Sequence, residues 1–382
     1  MTVWKFEALD RLFFRDSHPM NAGESVWLES IFPPTGRTLQ GAIRTAILDS
    51  LGIPYPVFNN PDDASCNDLR NNIGNANSLG RISLTGPILH LHGQALSPLP
   101  RHLVRNSEGY FTLLRPAESS CETDFGHIRL PAIPEGQRGF RPVDGHYLDQ
   151  EGMRLVLEGK TDKIEDHLFP LFSETKNQKT LIFREEKVGL ARNNRTRQAE
   201  DGKLFAMAAI RPREGLEIAI EVNGLDEQYA PSGVFAQRLG GEGRLAKVSM
   251  AENWSFPDAC ISEKNGRIRF SLVFLTPALM PGKGWLPDES FGKENLAGEG
   301  WSGEAAGCCF KIISACLGKA FRQGGWDHVK RTPRPLQSFV PAGSVYFCEA
   351  DASQNDAIQQ LHGKKLGCDT EYGYGLIFVG RW

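Results

Sequence analysis

The sequence lacks most of the features that mark a metal centre, a membrane protein or a common enzyme. Its eight cysteines (Cys66, Cys121, Cys260, Cys308, Cys309, Cys316, Cys348 and Cys368) include no Cys-x-x-Cys pair, so no metal site is expected. Their scatter makes no disulfide framework, and they read as reduced, mostly buried thiols of a cytoplasmic protein. No apolar run approaches the roughly 18 residues of a membrane span. The start, MTVWKFEALDRLFFRD, lacks the basic stretch and apolar core of a signal peptide. None of G-x-x-x-x-G-K-[ST], H-E-x-x-H or G-x-S-x-G occurs, and neither a cofactor nor a catalytic residue is expected. Positive charge is not in excess either: 43 Lys and Arg face 46 Asp and Glu, a formal net charge of −3. Nucleic-acid-binding domains are usually basic, so such a role has to rest on local patches, which act within a Debye length of about 8–10 Å.

What is present is an ordinary globular composition, 40% hydrophobic and 23% charged over 382 residues, enough for two domains with real cores. The 40 glycines and 23 prolines point to many turns and long loops. Closely spaced apolar residues from Val3 to Phe14 predict an early strand. Pro33-Pro34 interrupts regular structure, Thr35 or Thr38 can cap a helix, and Leu39, Ala42, Ile43, Ala46 and Ile47 then recur at helical spacing until Gly52. This predicts a helix over about 38–50. Residues 53–78 read as a loop and 80–92 as a strand, while 93–170 are too irregular to assign. Leu181–Leu190 and Lys203–Ile210 are strand-like pieces around a polar, basic tip, the pattern of a long hairpin spanning 174–213. Further strands are expected at 215–222, at 267–276 and at 343–349, with a Gly-rich turn into a short strand over 238–248. Periodicity leaves 308–321 open between strand and helix; 353–362 reads as a short helix before a Gly loop and a last strand. The expected fold class is α+β, with two sandwich domains, 1–225 and 226–382.

Charge is unevenly placed. From Arg184 to Arg197, five cations face Glu185 and Glu186, a net of three positive charges in fourteen residues. From Lys319 to Arg334, five cations face Asp327, a net of four in sixteen. Such islands suit phosphate, because counterion release drives most nucleic-acid binding. At the hairpin tip, Arg192, Arg195 and Arg197 can clamp phosphate or stack on bases, and Asn193 can bond phosphate, sugar or base edges. Arg44, on the helix after the Pro-Pro turn, and the glycines 240, 241, 243, 373, 375 and 380 also suit phosphate, although a tight turn explains either Gly loop equally well. Tyr372 and Tyr374 suit base stacking or a core.

Four segments together resemble a known family: LDRLFFRDSHPM (9–20) with SIFPPTGRTLQGAIRTAI (30–47), EKVGLARNNRTRQAEDGKLF (186–205), RLGGEGRLAKV (238–248) and LGCDTEYGYGLIFVGRW (366–382). In order and spacing the chain looks like the RAMP superfamily of CRISPR systems, and within it the Cmr-complex subunit of type III-B effectors that binds the 5′ handle of the guide RNA (crRNA). The resemblance implies two ferredoxin-like, RRM-type domains and a protruding hairpin that touches the guide. It implies docking on the large polymerase-like CRISPR subunit and on neighbouring RAMP backbone subunits, away from any membrane. Carried over, Lys187, Arg192, Arg195 and Arg197 belong to the hairpin, Arg44 to the first helix, and Gly240, Gly241 and Arg244 to the Gly loop. Asn193 and the terminal Gly373, Tyr374 and Gly375 complete the candidate RNA-binding set. The RNP aromatic motif of ordinary RRMs is absent.

Relatives of this subunit bind RNA without cutting it, so no catalytic activity is expected. Two other readings remain: a RAMP-type CRISPR repeat endoribonuclease, which often uses a His as general acid/base, and a protein-only assembly scaffold, which the negative net charge suits best. Among the nine histidines, His18 sits in the first motif, and His90 and His92 would share one face of a strand at metal-ligand spacing with no third ligand. The acidic pairs Glu185-Glu186 and Asp62-Asp63 read as solvated surface.

Overall fold

The computed structural model describes residues 2–15, 26–75, 78–123, 126–173, 178–252, 254–293, 300–327 and 331–382. The chain is mixed α and β, mostly strand with few helices. It forms two compact units interleaved along the sequence, rather than meeting at one boundary near residue 225. The first is built from 1–93, 172–253 and 322–337, the second from 94–171, 254–321 and 338–382.

In the first unit, Thr2–Ala8 lies at the centre of an antiparallel sheet. Leu216–Asn223 pairs on one side of it and carries Ser83–Leu91 beyond; Leu245–Ala251 pairs on the other side and carries Phe235–Arg238. Trp4 and Phe6 are therefore buried from both flanks. The crossover from the first strand to Ser83–Leu91 contains the helix Gly36–Ser50. Its buried residues Leu39, Ile43 and Ile47 recur one turn apart, which is why it folds onto the core. Thr35, not Thr38, is the cap: its hydroxyl accepts the Thr38 amide at 3.3 Å. Gly52, at φ +66°, ends the helix, with the Ile53 amide reaching back to the Leu48 carbonyl at 2.9 Å.

The stretch 53–78 is not simply a loop. It holds the helices Tyr55–Phe58 and Asn67–Ile73 around a 3-10 turn, Ala64–Cys66. Their polar sequence hides three anchors, Phe58, Leu69 and Ile73, too few to show a period but all buried. Asp63 is likewise no free surface carboxylate: it caps the turn by accepting the Ser65 amide at 3.0 Å.

In the second unit, Arg267–Phe274 is central. Ile377–Arg381 pairs on one side of it, and Val345–Asp351, then Cys308–Cys316, on the other, all antiparallel. Cys308–Cys316 is thus a strand; Cys308, Phe310 and Ile312 alternate inward from Cys309 and Lys311. The helix Asn355–Leu361 joins the third and fourth of these strands and buries Ile358 and Leu361. Phe270, Phe274, Tyr346, Ile377 and Val379 belong to one core. Residues 94–171 add short strands and the helix Gln150–Leu157, capped by Asp149 on the Gly152 amide at 2.8 Å. Numbered by chain order, the four principal strands stand 2-3-1-4 across the sheet in both units. The first unit keeps its helix after strand 1, the second after strand 3.

Among the described residues, no helix is long and apolar enough to cross a membrane.

Candidate nucleic-acid interface

The hairpin expected from the sequence is the most prominent basic feature. Ile182–Arg192 pairs antiparallel with Ala199–Pro212, from Ile182 opposite Pro212 to Leu190 opposite Leu204, with a register shift before Arg192. An eleven-residue strand runs ~36 Å. A third strand, Val26–Leu28, covers only the stretch Phe205–Met207, so the pairing of Arg192 with Ala199 extends beyond it.

Local bonds shape the tip. The Asn193 side-chain oxygen accepts the amides of Arg195 (2.9 Å) and Thr196 (3.1 Å). The Asn193 amide donates to the Gln198 carbonyl, and the Arg197 amide to the Asn193 carbonyl. Arg197 takes a left-handed φ of +58°, and the Arg192 Nε donates to its carbonyl at 3.1 Å. The Asn193 side-chain oxygen is thus engaged in the turn by two amides. Lys187, Arg192, Arg195 and Arg197 are all exposed. Trp27, Val188 and Leu190 are exposed apolar side chains on this surface. Val188 stands opposite Ala206, which stands beside Trp27, so Trp27 and Val188 share a sheet face. The sequence carried no signal for this pairing, because 160 residues separate its partners.

The root of the hairpin is held by an ion network the sequence reading missed. Glu185 accepts from Arg11 Nη1 at 3.2 Å and from Arg211 Nε. Arg211 Nη2 also reaches Asp10 Oδ1 at 2.9 Å, and Arg244 Nη1 lies 3.8 Å from Asp10 Oδ2. The hydrogen bond from Arg211, above all, holds the Glu185 carboxyl below its ordinary pKa. Glu185 is therefore a structural partner of two arginines, not solvated surface, although its neighbour Glu186 is exposed. Three guanidiniums around two carboxylates leave one positive charge at the root. Met207, Ala209, Leu28 and Phe13 pack beneath it.

The other candidate positions are used internally. Arg44 donates from Nε and Nη2 to the Ile73 carbonyl at 3.3 and 3.1 Å, clamping the end of the Asn67–Ile73 helix. Gly240, at φ +79°, lies so close to residue 13 that a Cβ would stand 2.4 Å from the Phe13 carbonyl oxygen. The Gly241 amide donates to that same oxygen at 2.8 Å. These two glycines serve close chain packing, and the Gly241 amide is not available to cradle phosphate. Arg244 is only 19% exposed. At the C-terminal loop, Tyr374 is buried against Phe339, with ring centroids 4.9 Å apart, and presents no face for a base. The Gly373 carbonyl accepts the Thr276 hydroxyl at 2.8 Å, and a Cβ on Gly375 would stand 1.9 Å from the Leu366 oxygen.

The basic island over 319–334 is divided between the two units, and Lys330 lies outside the described residues. So does His18. His90 and His92 do not share a strand face: the strand ends at Leu91, and His92 sits in the turn at φ +50°. Burial, chiefly, pushes the His90 imidazole down to about 4 and that of His102 down to about 3. No group of three metal-ligating side chains occurs among the described residues.

A model of a family of CRISPR-associated proteins, Cas_Cmr3, matches residues 4–382. No curated protein sequence matches the chain. Similar solved chains include one from a type III-B Cmr-beta assembly bound to cognate target RNA and AMPPnP, 16% identical over 94% of this chain and 89% of that one, with a TM-score of 0.48. A chain from the same kind of assembly bound to cognate target RNA is 15% identical over the same shares, with a TM-score of 0.49. One from the Csm3-Csm4 subcomplex of a type III-A interference complex is 12% identical over 91% of this chain and 92% of that one, with a TM-score of 0.41. Likenesses of that size are too loose to transfer a function.

Proposed function

Because this chain belongs to the Cas_Cmr3 family of CRISPR-associated proteins, we propose that it is a non-catalytic RNA-binding subunit of a type III-B effector complex that anchors the 5′ handle of the crRNA through its hairpin. The observation that carries this reading is the hairpin tip. Its backbone is ordered by its own hydrogen bonds, and it offers Arg192, Arg195 and Arg197, with Lys187 farther down, at an exposed surface. Guanidiniums on a pre-shaped turn lose little freedom when they meet phosphate, and the neighbouring Trp27, Val188 and Leu190 suit unstacked bases. The hairpin's root, braced by Glu185 and Asp10, gives the tip a defined base.

The antiparallel 2-3-1-4 order in each unit supports the reading of two ferredoxin-like folds, one keeping only its first helix and the other only its second. The buried, neutral His90 and His102 are poor general acids or bases, which work best with a pKa near the operating pH; this fits a subunit that holds RNA without cutting it. Docking on the large polymerase-like subunit and on neighbouring backbone subunits belongs to the same proposal.

The test is binding of a short single-stranded RNA bearing the repeat-derived 5′ handle, at two salt concentrations, to the wild type and to Arg192→Ala/Arg195→Ala/Arg197→Ala. At roughly 0.7 counterions per contact on single strands, losing three contacts flattens the log–log salt slope by about 2. Intact RNA with a flattened slope is the expected result. Cleaved RNA would move the assignment to a ribonuclease. Binding indifferent to the variant would leave an assembly scaffold.

A further inference from the structure

The second unit contains a cavity of about 190 Å³ that the hairpin reading does not use. Arg115, Arg381, His102, Ser262, Gly159 and Trp382 line it, with leucines completing the wall and no carboxylate side chain among the lining residues. The volume is several times the roughly 30 Å³ that one water occupies in the liquid, so it accommodates a molecule rather than a lone ion.

Three observations bear on what that molecule is. First, the wall carries two guanidiniums and no acidic side chain. The Arg115 side chain makes no hydrogen bond or ion pair among the described residues, and its charge faces solvent unpaired. Arg381 is anchored by its Nε on the Glu158 carbonyl, which steers the guanidinium without neutralising it. Second, the His102 ring is 98% buried and forms part of the wall. The ring is held in place: its backbone carbonyl accepts the Leu114 amide at 2.7 Å, and Phe347 meets it edge-on at 5.9 Å. Third, Trp382 is fixed by a bond from Nε1 to the Cys348 carbonyl at 3.0 Å and by Arg269 over its ring at 5.0 Å. The cavity therefore combines an aromatic wall with a polar one that carries two guanidiniums.

We propose that this cavity binds a phosphomonoester, carried either by a small sugar phosphate or by the phosphorylated end of an RNA strand. A phosphomonoester carries close to two negative charges near neutral pH, which suits a wall that presents two guanidiniums and no acidic side chain. The guanidinium fork fits its oxygens in pairs, Ser262 supplies a hydroxyl, and the space beyond holds the ester's body. The hairpin belongs to the other unit.

The experiment is calorimetric titration of the full chain, at constant ionic strength, with inorganic phosphate, ribose 5-phosphate, and a short RNA with a 5′-phosphate beside its 5′-hydroxyl twin. Each is run on the wild type, Arg115→Gln and Arg115→Lys. Arg115 is exposed and without a partner, so both variants should keep the wild-type melting temperature. Saturable binding of phosphate that weakens at least 10-fold in Arg115→Gln, and less in Arg115→Lys, is the expected result. Tighter binding of the sugar phosphate, or of the phosphorylated RNA over its twin, then identifies the source. No saturable binding of any probe, or equal affinity in Arg115→Gln, would overturn the proposal.

Discussion

The Gly-rich turn after Arg238 separates two explanations for one motif, and a pair of alanine substitutions distinguishes them. Gly240 and Gly243 both have positive φ, +79° and +63°. At Gly243 nothing lies within 4 Å of the position a Cβ would take. Gly243→Ala therefore carries only the left-handed backbone penalty, about 1–2 kcal/mol. At Gly240 a Cβ would lie 2.4 Å from the Phe13 carbonyl oxygen and 2.9 Å from the Phe14 ring. Backbone cannot swing aside as a side-chain end can, and moving Phe13 disturbs both its bond from the Gly241 amide and its packing on Met207. Overpacking of this kind adds about 1–3 kcal/mol. Gly240→Ala should thus destabilise the first unit by about 2 kcal/mol more than Gly243→Ala, read as the difference between their urea midpoints at a common slope. Folded Gly243→Ala should bind the handle RNA as the wild type does. Equal stabilities within about 0.5 kcal/mol, or a loss of RNA affinity in Gly243→Ala alone, would refute the packing account and restore the loop as a phosphate cradle.

Glu185 gives a pH signature. Its folded pKa lies below the ordinary carboxylate value of 4.5, with the Arg211 hydrogen bond the largest cause. Its contribution is therefore present above the unfolded pKa and lost as pH falls through the lower folded one. Glu185→Gln should lower stability at neutral pH and flatten the acid limb below about 4.5, measured by thermal unfolding across pH 3–7; an unchanged acid limb would contradict the root network. Tyr374→Ala should open a core cavity and cost about 3–5 kcal/mol, whereas Tyr374→Phe should cost about 1 kcal/mol and leave RNA affinity unchanged. A Tyr374→Phe variant of full stability with weakened RNA binding would count against the buried placement.

Local features were legible wherever a period or a turn signal was strong. Leu39, Ile43 and Ile47 recur one turn apart, and that spacing forces a helix onto a core whatever lies opposite. The two strands around Arg192–Arg197 were legible because alternation on both sides of a polar tip leaves a hairpin as the economical pairing. The short helices at 55–73 were not, because three buried anchors in a polar stretch make no period. The strand at 308–316 stayed open because a continuous apolar run suits a buried strand and a buried helix alike.

The role of individual residues divided along another line. Sequence by itself determined that positive charge concentrates in residues 184–197, and that glycines at 240, 241, 373 and 375 permit a tight turn or a close backbone approach. Only the tertiary structure decided why. A glycine's neighbours across the fold, Phe13 for Gly240 and Leu366 for Gly375, come from distant chain, so packing and phosphate binding look identical in one dimension. The same holds for Glu185, whose meaning depends on Arg11, 174 residues away, and for Arg115 and Arg381, whose charges meet in one cavity wall only after folding. Covalent order sets which residues can act; the field and the packing around each, which set what it does, are made by contacts that sequence separation conceals.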